Sequence, residues 1–183
     1  MRIDCEVMLS FDIRLLESTA VHVDDDLPAD DPIWNDEDLR PHDAVHVTGR
    51  LSTAGEGRFY FSGQLHGSFS STCRRCLTPV SASVNEETHL IFADGHDAED
   101  DDDSNDPDVY VLDPRAPLLD LRPAVREQWI LGAPAWHLCR DDCQGICPTC
   151  GADRNIPGAC NCAPATDPRW DALGTAHPDA RKS

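Results

Sequence analysis

Eight of the nine cysteines form closely spaced pairs, and each pair could supply two ligands to one metal ion. Two pairs are Cys-x-x-Cys, in the segments "CRRC" and "CPTC", while "CRDDC" and "CNC" hold the other two. Thiolates at such spacings can bind one tetrahedral zinc ion, and four of them make a closed, structural site. We therefore expect one or two structural zinc ions. The candidate ligands are Cys73, Cys76, Cys139, Cys143, Cys147, Cys150, Cys160 and Cys162.

The four pairs can be grouped into metal sites in more than one way. Gly151 follows "CPTC" directly and allows the tight turn that aims backbone N–H groups at the two sulfurs. A count of pairs favours two sites, one formed by the last four cysteines and one by Cys73, Cys76, Cys139 and Cys143. The second of these would connect the end of a β-hairpin to the end of a helix. A zinc ribbon that joins Cys73 and Cys76 to Cys147 and Cys150 is the alternative, and the sequence leaves both open.

The residue patterns give no sign of catalysis. A four-thiolate zinc site has no open position and is a poor Lewis acid. The sequence contains no H-E-x-x-H motif, no H-x-E of the deaminase type, no G-x-S-x-G and no Gly-rich phosphate loop. We therefore predict a protein that is not an enzyme. A dithiol redox protein or sensor using "CRRC" is the alternative, but Pro79 and a strand pattern follow where a thioredoxin-like helix would begin.

The charge of the chain bears on its partners and compartment. The net charge is −19, the pI is about 4.5, and Lys182 is the single lysine among fifteen cationic residues. Phosphate binding depends on Lys and Arg, so this composition is poorly suited to binding nucleic acid through its phosphates. Arg74 and Arg75 could reach outward to a phosphate or to a carboxylate partner. The N-terminal stretch lacks a signal peptide's apolar centre, so we expect the reducing cytoplasm, where clustered cysteines indicate metal rather than disulfides.

Alternating apolar residues predict a sheet-dominated body that positions these cysteines. Residues 3–13 alternate, with Cys5 on the apolar side as a small buried side chain. Residues 45–51 and 59–69 alternate around the turn "STAGEGR", which predicts a β-hairpin running into Cys73, and residues 80–92 predict a third strand. Residues 24–43 have little periodicity and are rich in Asp and Pro, which predicts a long loop pinned by Ile33, Trp34 and Leu39.

An acidic segment separates this body from the remaining elements. Residues 94–108 hold nine carboxylates and no Lys or Arg, which is typical of a solvated linker. "VYVL" predicts a short strand, and "DLRPAVREQWIL" a helix capped by Asp120 that ends at Gly132 and Pro134. The predicted fold class is α+β: an antiparallel β-rich body with a helix and a C-terminal Cys-rich zinc knuckle. The predicted regions are a body at 1–93, a linker at 94–108, a strand and helix at 109–135, a zinc module at 136–163 and a tail at 164–183.

Several motifs in their order along the chain resemble the YceD family, the large ribosomal RNA subunit accumulation proteins of bacteria and plastids. They are "CRRCL", "LRPAVREQWILGAP", "LCRDDCQGICPTCGADRN" and "DPRWDAL", whereas the first 60 residues match only in strand pattern. The resemblance implies a non-enzymatic role in large-subunit ribosomal RNA accumulation and in biogenesis of the large ribosomal subunit. The pre-ribosomal large subunit is then the expected partner, through a basic ribosomal protein or assembly factor, because the net charge suits such a partner better than bare RNA. Arg74, Arg75 and Arg140 could assist locally, and the sequence does not decide whether the chain contacts RNA directly. The positions that match the family's motifs are Cys73, Arg75, Cys76, Cys139, Cys143, Cys147, Cys150 and Gly151, while Cys160 and Cys162 stand where the family commonly has further Cys or His.

Overall fold

A computed structural model of the chain describes residues 8–35, 39–55, 57–94, 109–113, 115–163 and 169. Its strands and helices fall in the first two thirds of the chain and in the segment before the cysteine-rich region. In chain order the elements are β1 (Ser10–Asp12), α1 (Ile13–Leu16), β2 (Val21–Leu27), β3 (Val45–Gly55), β4 (Arg58–Thr72), β5 (Pro79–Asp94), β6 (Val109–Leu112), β7 (Leu118–Asp120) and α2 (Arg122–Gly132). None of the described helices has the length and apolar character needed to traverse a bilayer.

The strands form a five-stranded sheet of order β2-β3-β4-β5-β6 and a separate pair, β1 with β7. All pairs are antiparallel except β5 with β6, where Ile91 lies opposite Val109 and Asp94 opposite Leu112. A parallel pair requires a crossover connection of a dozen residues or more. Residues 95–108, most of the acidic segment, separate β5 from β6 in sequence and lie outside the described part.

One face of the sheet is apolar because alternate residues of each strand point to it. Trp129 of α2 lies at its centre: the indole N–H donates to the carbonyl of Leu39 at 2.7 Å, and the rings of Trp34 and Phe69 pack edge-on with centroids 5.9 Å away. The predicted helix face is confirmed, since Leu121, Val125 and Trp129 are all buried. The remaining core residues include Leu27, Val45, Val47, Leu51, Phe59, Phe61, Leu65, Val84, Leu90 and Phe92.

A glycine pair lets β3 and β4 carry an aromatic ring flat against the sheet. Gly49 and Gly63 are opposite each other in the register. A β-carbon on Gly49 would lie 2.5 Å from the carbonyl oxygen of Ser62 and 2.8 Å from Cε2 of Phe61. One on Gly63 would collide with the Thr48 carbonyl and the same ring. Phe61 therefore covers both glycines, and neither position has room for a larger residue.

The sheet-dominated α+β class is confirmed, and three local predictions change. The predicted loop at 24–43 begins too early, because β2 pairs with β3 through Leu27; Asp25 interrupts the apolar alternation and conceals the strand. The predicted strand at 3–13 is, within the described residues, only Ser10–Asp12 followed by α1, and its first part with Cys5 lies outside them. α2 begins after Leu121 rather than Asp120, although the Asp120 carboxylate still accepts the N–H of Arg122 at 3.0 Å.

Contacts divide the chain into two compact units. The first comprises Met1–Thr72 and Pro79–His137, and it holds all of the described strands and helices. The second comprises Cys73–Thr78 and Leu138–Ser183. The six residues that connect β4 to β5 thus belong to the same unit as the C-terminal cysteine-rich segment, although the 59 residues Pro79–His137 separate the two in sequence.

Gly63→Ala tests the close approach of β3 and β4. We expect the variant to lose about 1–3 kcal/mol of unfolding free energy, because the added methyl group overpacks the Phe61 ring. Alanine is not a poorer strand residue than glycine, so propensity cannot explain such a loss. Gln64→Ala, one residue away on the exposed face, should change stability by less than about 0.5 kcal/mol. Urea unfolding followed by tryptophan fluorescence measures both, and equal stabilities of the two variants would contradict the packing described.

Candidate metal centres

The second unit contains two groups of four sulfur atoms, each within 4.8 Å of one another. The first sulfur cluster consists of Cys73, Cys76, Cys139 and Cys143, and the second of Cys147, Cys150, Cys160 and Cys162. All eight cysteines are free thiols. This is the two-site grouping considered above. The zinc-ribbon grouping is not formed, since Cys73 and Cys76 lie in a different cluster from Cys147 and Cys150.

The sulfur spacing fits a tetrahedral metal. Sγ atoms are 3.8 Å apart between Cys73 and Cys143, 3.6 Å between Cys76 and Cys139, and 3.6 Å between Cys150 and Cys160. Four sulfurs at the usual zinc–sulfur bond length of about 2.3 Å would be roughly 3.8 Å apart along each edge of the tetrahedron. A disulfide needs about 2.05 Å. Both clusters therefore could hold a thiolate-ligated metal ion such as zinc.

Two short loops with the same backbone pattern present the first pair of each cluster. In the first knuckle (Cys73–Thr78), the N–H of Cys73 donates to the Thr78 carbonyl at 2.8 Å and the N–H of Leu77 donates to the Cys73 carbonyl at 2.9 Å. In the second knuckle (Cys147–Ala152), the corresponding bonds join Cys147 to Ala152 and Gly151 to Cys147, both at 2.8 Å. Each loop thus turns within six residues and aims its central N–H groups inward.

The fifth residue of each knuckle has a left-handed backbone. Its φ is +61° at Leu77 and +73° at Gly151. This conformation suits glycine but costs an ordinary L-residue roughly 1–2 kcal/mol. The second knuckle therefore carries the expected residue, whereas the first carries a leucine whose side chain is 60% exposed.

Arg75 connects the first knuckle to the segment that supplies the other two sulfurs. Its guanidinium donates to the backbone carbonyls of Asp141 at 3.2 Å and Cys143 at 3.0 Å. Its own carbonyl accepts the N–H of Ile146 at 2.9 Å. Gly145 passes so close that a β-carbon there would lie 2.9 Å from the same carbonyl oxygen, and its φ is +70°. The side chain of Arg75 is therefore a structural part of the first cluster.

Asn155 supports the same cluster from the far side. Its amide nitrogen donates to the Cys143 sulfur at 3.5 Å, and its amide oxygen accepts from the N–H of Gln144 and from the guanidinium of Arg140, each at 2.8 Å. Asn155 was not among the site residues predicted from the sequence. The signal was present in "CGADRN", where an Asn follows a knuckle at short distance, but only the folded loop shows which sulfur it reaches.

The knuckle N–H groups favour a thiolate on the first cysteine of each loop. The backbone N–H of Cys76 lowers the pKa of the Cys73 thiol to about 6. The N–H groups of Cys150 and Thr149 lower the pKa of Cys147 to about 6 as well.

The thiols of Cys139 and Cys162, which lie outside the knuckles, have raised rather than lowered pKa values. Desolvation of the sulfur by its neighbours, followed by the sulfur of Cys143, raises the pKa of Cys139 to about 12. The neighbouring sulfur of Cys150 raises the pKa of the Cys162 thiol to about 12. Clustered thiols thus resist full ionisation by themselves, and a bound divalent cation would offset that mutual repulsion.

The arginines considered as outward-facing contacts are mostly engaged within the unit. Arg75 binds carbonyl groups as described, and Arg140 donates to Asn155 and lies 3.2 Å from the Asp142 carboxylate. Arg74 is exposed. Cys73 and Cys76 are 0% and 8% exposed, so the "CRRC" pair is largely hidden from external thiols and disulfides.

Residues 61–175 match the model of the family described as "Large ribosomal RNA subunit accumulation protein YceD", and this range includes both sulfur clusters. The chain belongs to the YceD family. It is 30% identical over 125 residues to uncharacterized proteins of Mycobacterium tuberculosis and Mycobacterium bovis. The match covers 68% of this chain but only 58% of those proteins. No solved structure is significantly similar to the chain.

The fifth residue is leucine in the first knuckle and glycine in the second, and exchanging the two residue types tests the backbone strain at this position. Gly151→Leu should lower the unfolding free energy of the metal-loaded protein by about 1–2 kcal/mol, because leucine is strained at positive φ. Leu77→Gly should change it by less than about 1 kcal/mol, because relief of the same strain offsets the entropy that glycine adds to the unfolded chain. Denaturant unfolding in the presence of excess metal measures both. An equal loss in the two variants would show that the Leu77 side chain makes a stabilising contact in the isolated protein.

Proposed function

We propose that this protein supports accumulation of large-subunit ribosomal RNA and biogenesis of the large ribosomal subunit, as a non-enzymatic factor of the cytoplasm. The observation that carries the proposal is the family match over residues 61–175, which includes most of β4, all of β5 and α2, and both sulfur clusters. The residues within that range support binding and folding rather than catalysis: the polar groups around the sulfurs are N–H donors and structural side chains.

We propose further that each sulfur cluster holds one structural zinc ion. A four-cysteine zinc site contributes folding free energy because its ligands are not assembled in the unfolded chain. In the first cluster the ligands come from segments that are far apart in sequence, and Arg75 and Asn155 orient them. The metal would thus fix the loop between β4 and β5 and the segment after α2 in one compact unit.

Charge supports a basic protein as the direct partner within the pre-ribosomal large subunit. Among the described residues, the first unit has fourteen carboxylates and seven arginines. On the sheet edge, Asp24 and Asp26 have side chains 62% and 64% exposed. The described part of the second unit instead has Arg74, Arg75, Arg140, Arg154 and Arg169 against Asp141, Asp142 and Asp153. The carboxylate-rich surface of the first unit attracts basic ribosomal proteins or assembly factors and repels RNA phosphates.

The redox alternative lacks a comparable supporting observation. Thiol–disulfide exchange requires a thiolate that the other sulfur can reach. The two sulfurs of "CRRC" belong to buried residues and face two further cysteines, an arrangement that favours a metal over a substrate disulfide. We therefore do not propose a role as a dithiol oxidoreductase.

Depletion of the protein in its host tests the proposed role. We expect the ratio of large to small ribosomal subunits on a sucrose gradient to fall, together with the amount of mature large-subunit ribosomal RNA, because assembly of that subunit would lack a factor. The wild-type chain and the surface variant Gln64→Ala should restore both quantities. Cys73→Ser should restore them less well at equal protein level. Unchanged subunit ratios and RNA levels after depletion would contradict the proposed function.

Zinc stoichiometry tests the two sites independently of ribosomes. Elemental analysis of the purified chain should give about two ions per molecule, with fewer than about 0.3 ions contradicting structural zinc. Cys73→Ser and Cys139→Ser should each release much of one ion, and the double variant should lose little more, because both ligands serve the same site. Cys147→Ser should deplete the other ion, additively with Cys73→Ser. Redundancy between Cys73→Ser and Cys147→Ser would instead indicate a zinc ribbon.

A further inference from the structure

The two sulfur clusters differ in how far they are shielded from solvent. Three of the four cysteines of the first cluster are buried, at 0% for Cys73, 8% for Cys76 and 3% for Cys143, and only Cys139 is exposed. In the second cluster only Cys147 is buried, at 5%, while Cys160 is partly exposed and Cys150 and Cys162 are exposed. The same ligand set is thus placed in two different environments.

The surroundings of the clusters reinforce this difference. Around the first cluster, Arg75 occupies the carbonyls of Asp141 and Cys143, and Asn155 donates to a sulfur. Beside the second cluster, the described residues leave an open cavity of about 400 Å³, lined by three of its sulfur-bearing residues and by Arg154, Ile156 and Pro157. A small reagent can therefore approach the second cluster directly, whereas the polar network and burial obstruct approach to the first.

We propose that the second sulfur cluster is an oxidative modification site, at which a peroxide oxidises cysteines and releases the metal, while the first cluster stays loaded. The inference rests on the proposed zinc occupancy of both clusters. Cysteine oxidation follows thiolate character and exposure. Cys150 is exposed and its sulfur lies 3.6 Å from that of Cys160, so these two are the pair expected to be joined.

The chemistry is a two-electron oxidation. One thiolate of the pair attacks hydrogen peroxide, the O–O bond breaks, and a sulfenic acid and a hydroxide ion form. The second thiolate then attacks the sulfenic sulfur, so that the S–S bond forms and a second hydroxide ion leaves. Each sulfur loses one electron, and the two peroxide oxygens are reduced to hydroxide. Two thiolate ligands are lost, and the zinc ion passes into solution.

Peroxide titration of the full, zinc-loaded chain tests this proposal. Released zinc is followed with a colorimetric indicator, and the oxidised cysteines are mapped by alkylation and mass spectrometry. We expect one equivalent of zinc to leave at least about tenfold faster than the other, with a disulfide confined to residues 147–162, because exposure governs the reaction. Reduction with a phosphine followed by added zinc should restore two equivalents.

Arg75→Met provides the matched variant, because it removes the hydrogen bonds that shield the first cluster and retains most of the side-chain stem. It should speed release of the slow equivalent several-fold and leave the fast one unchanged. Arg154→Met, an arginine at the second cluster's cavity, should leave the slow equivalent unchanged. Release of both equivalents at one rate, or oxidation that begins at Cys139 or its partners, would overturn the inference while leaving structural zinc intact. A chain that never holds two ions would instead refute the zinc occupancy proposed above.

Discussion

Four sulfur atoms within 4.8 Å of one another are a severe electrostatic constraint, and the second unit contains two such groups. Four thiolates at this distance would repel one another strongly. Four thiols would accept only weak hydrogen bonds from the N–H groups that the knuckles direct at them. Both difficulties disappear when a divalent cation sits between the sulfurs. Apart from metal binding, the second unit has few sources of stability, since it contains neither a described strand nor a described helix of its own. If the clusters hold metal ions as proposed, they take the place that a hydrophobic core has in the first unit.

The two knuckles share a backbone design but differ in what surrounds them. The first obtains rigidity from Arg75, Gly145 and Asn155, and accepts a strained leucine where the second has glycine. The second depends on its glycine turn, and three of the four cysteines of its cluster are exposed or partly exposed. Repetition of a ligand pattern within one chain thus does not imply equal stability or reactivity, because burial and the neighbouring polar groups decide both.

The sheet was largely predictable, for reasons that individual strands make clear. β3, β4 and β5 alternate apolar and polar residues over long stretches, so one face must be buried. β2 was missed because Asp25 stands at an inward position and three consecutive aspartates are typical of loops. Its pairing with β3 offsets that local preference. The parallel pairing of β5 and β6 could not be predicted, because strand direction depends on where a crossover returns and not on the residues of the strand.

The sequence by itself determined the ligand type, the spacing within each cysteine pair, the glycine turn of the second knuckle and the α+β class, since all of these follow from neighbours along the chain. Only the tertiary structure decided which pairs share a cluster. Cys73 meets Cys143 across 70 residues, and Cys76 meets Cys139 across 63. Such contacts depend on the path that the chain takes through β5, β6 and α2. The residue pattern around each cysteine pair does not predict that path. Exposure, which separates the two clusters chemically, is likewise a property of the folded surroundings rather than of the cysteines themselves.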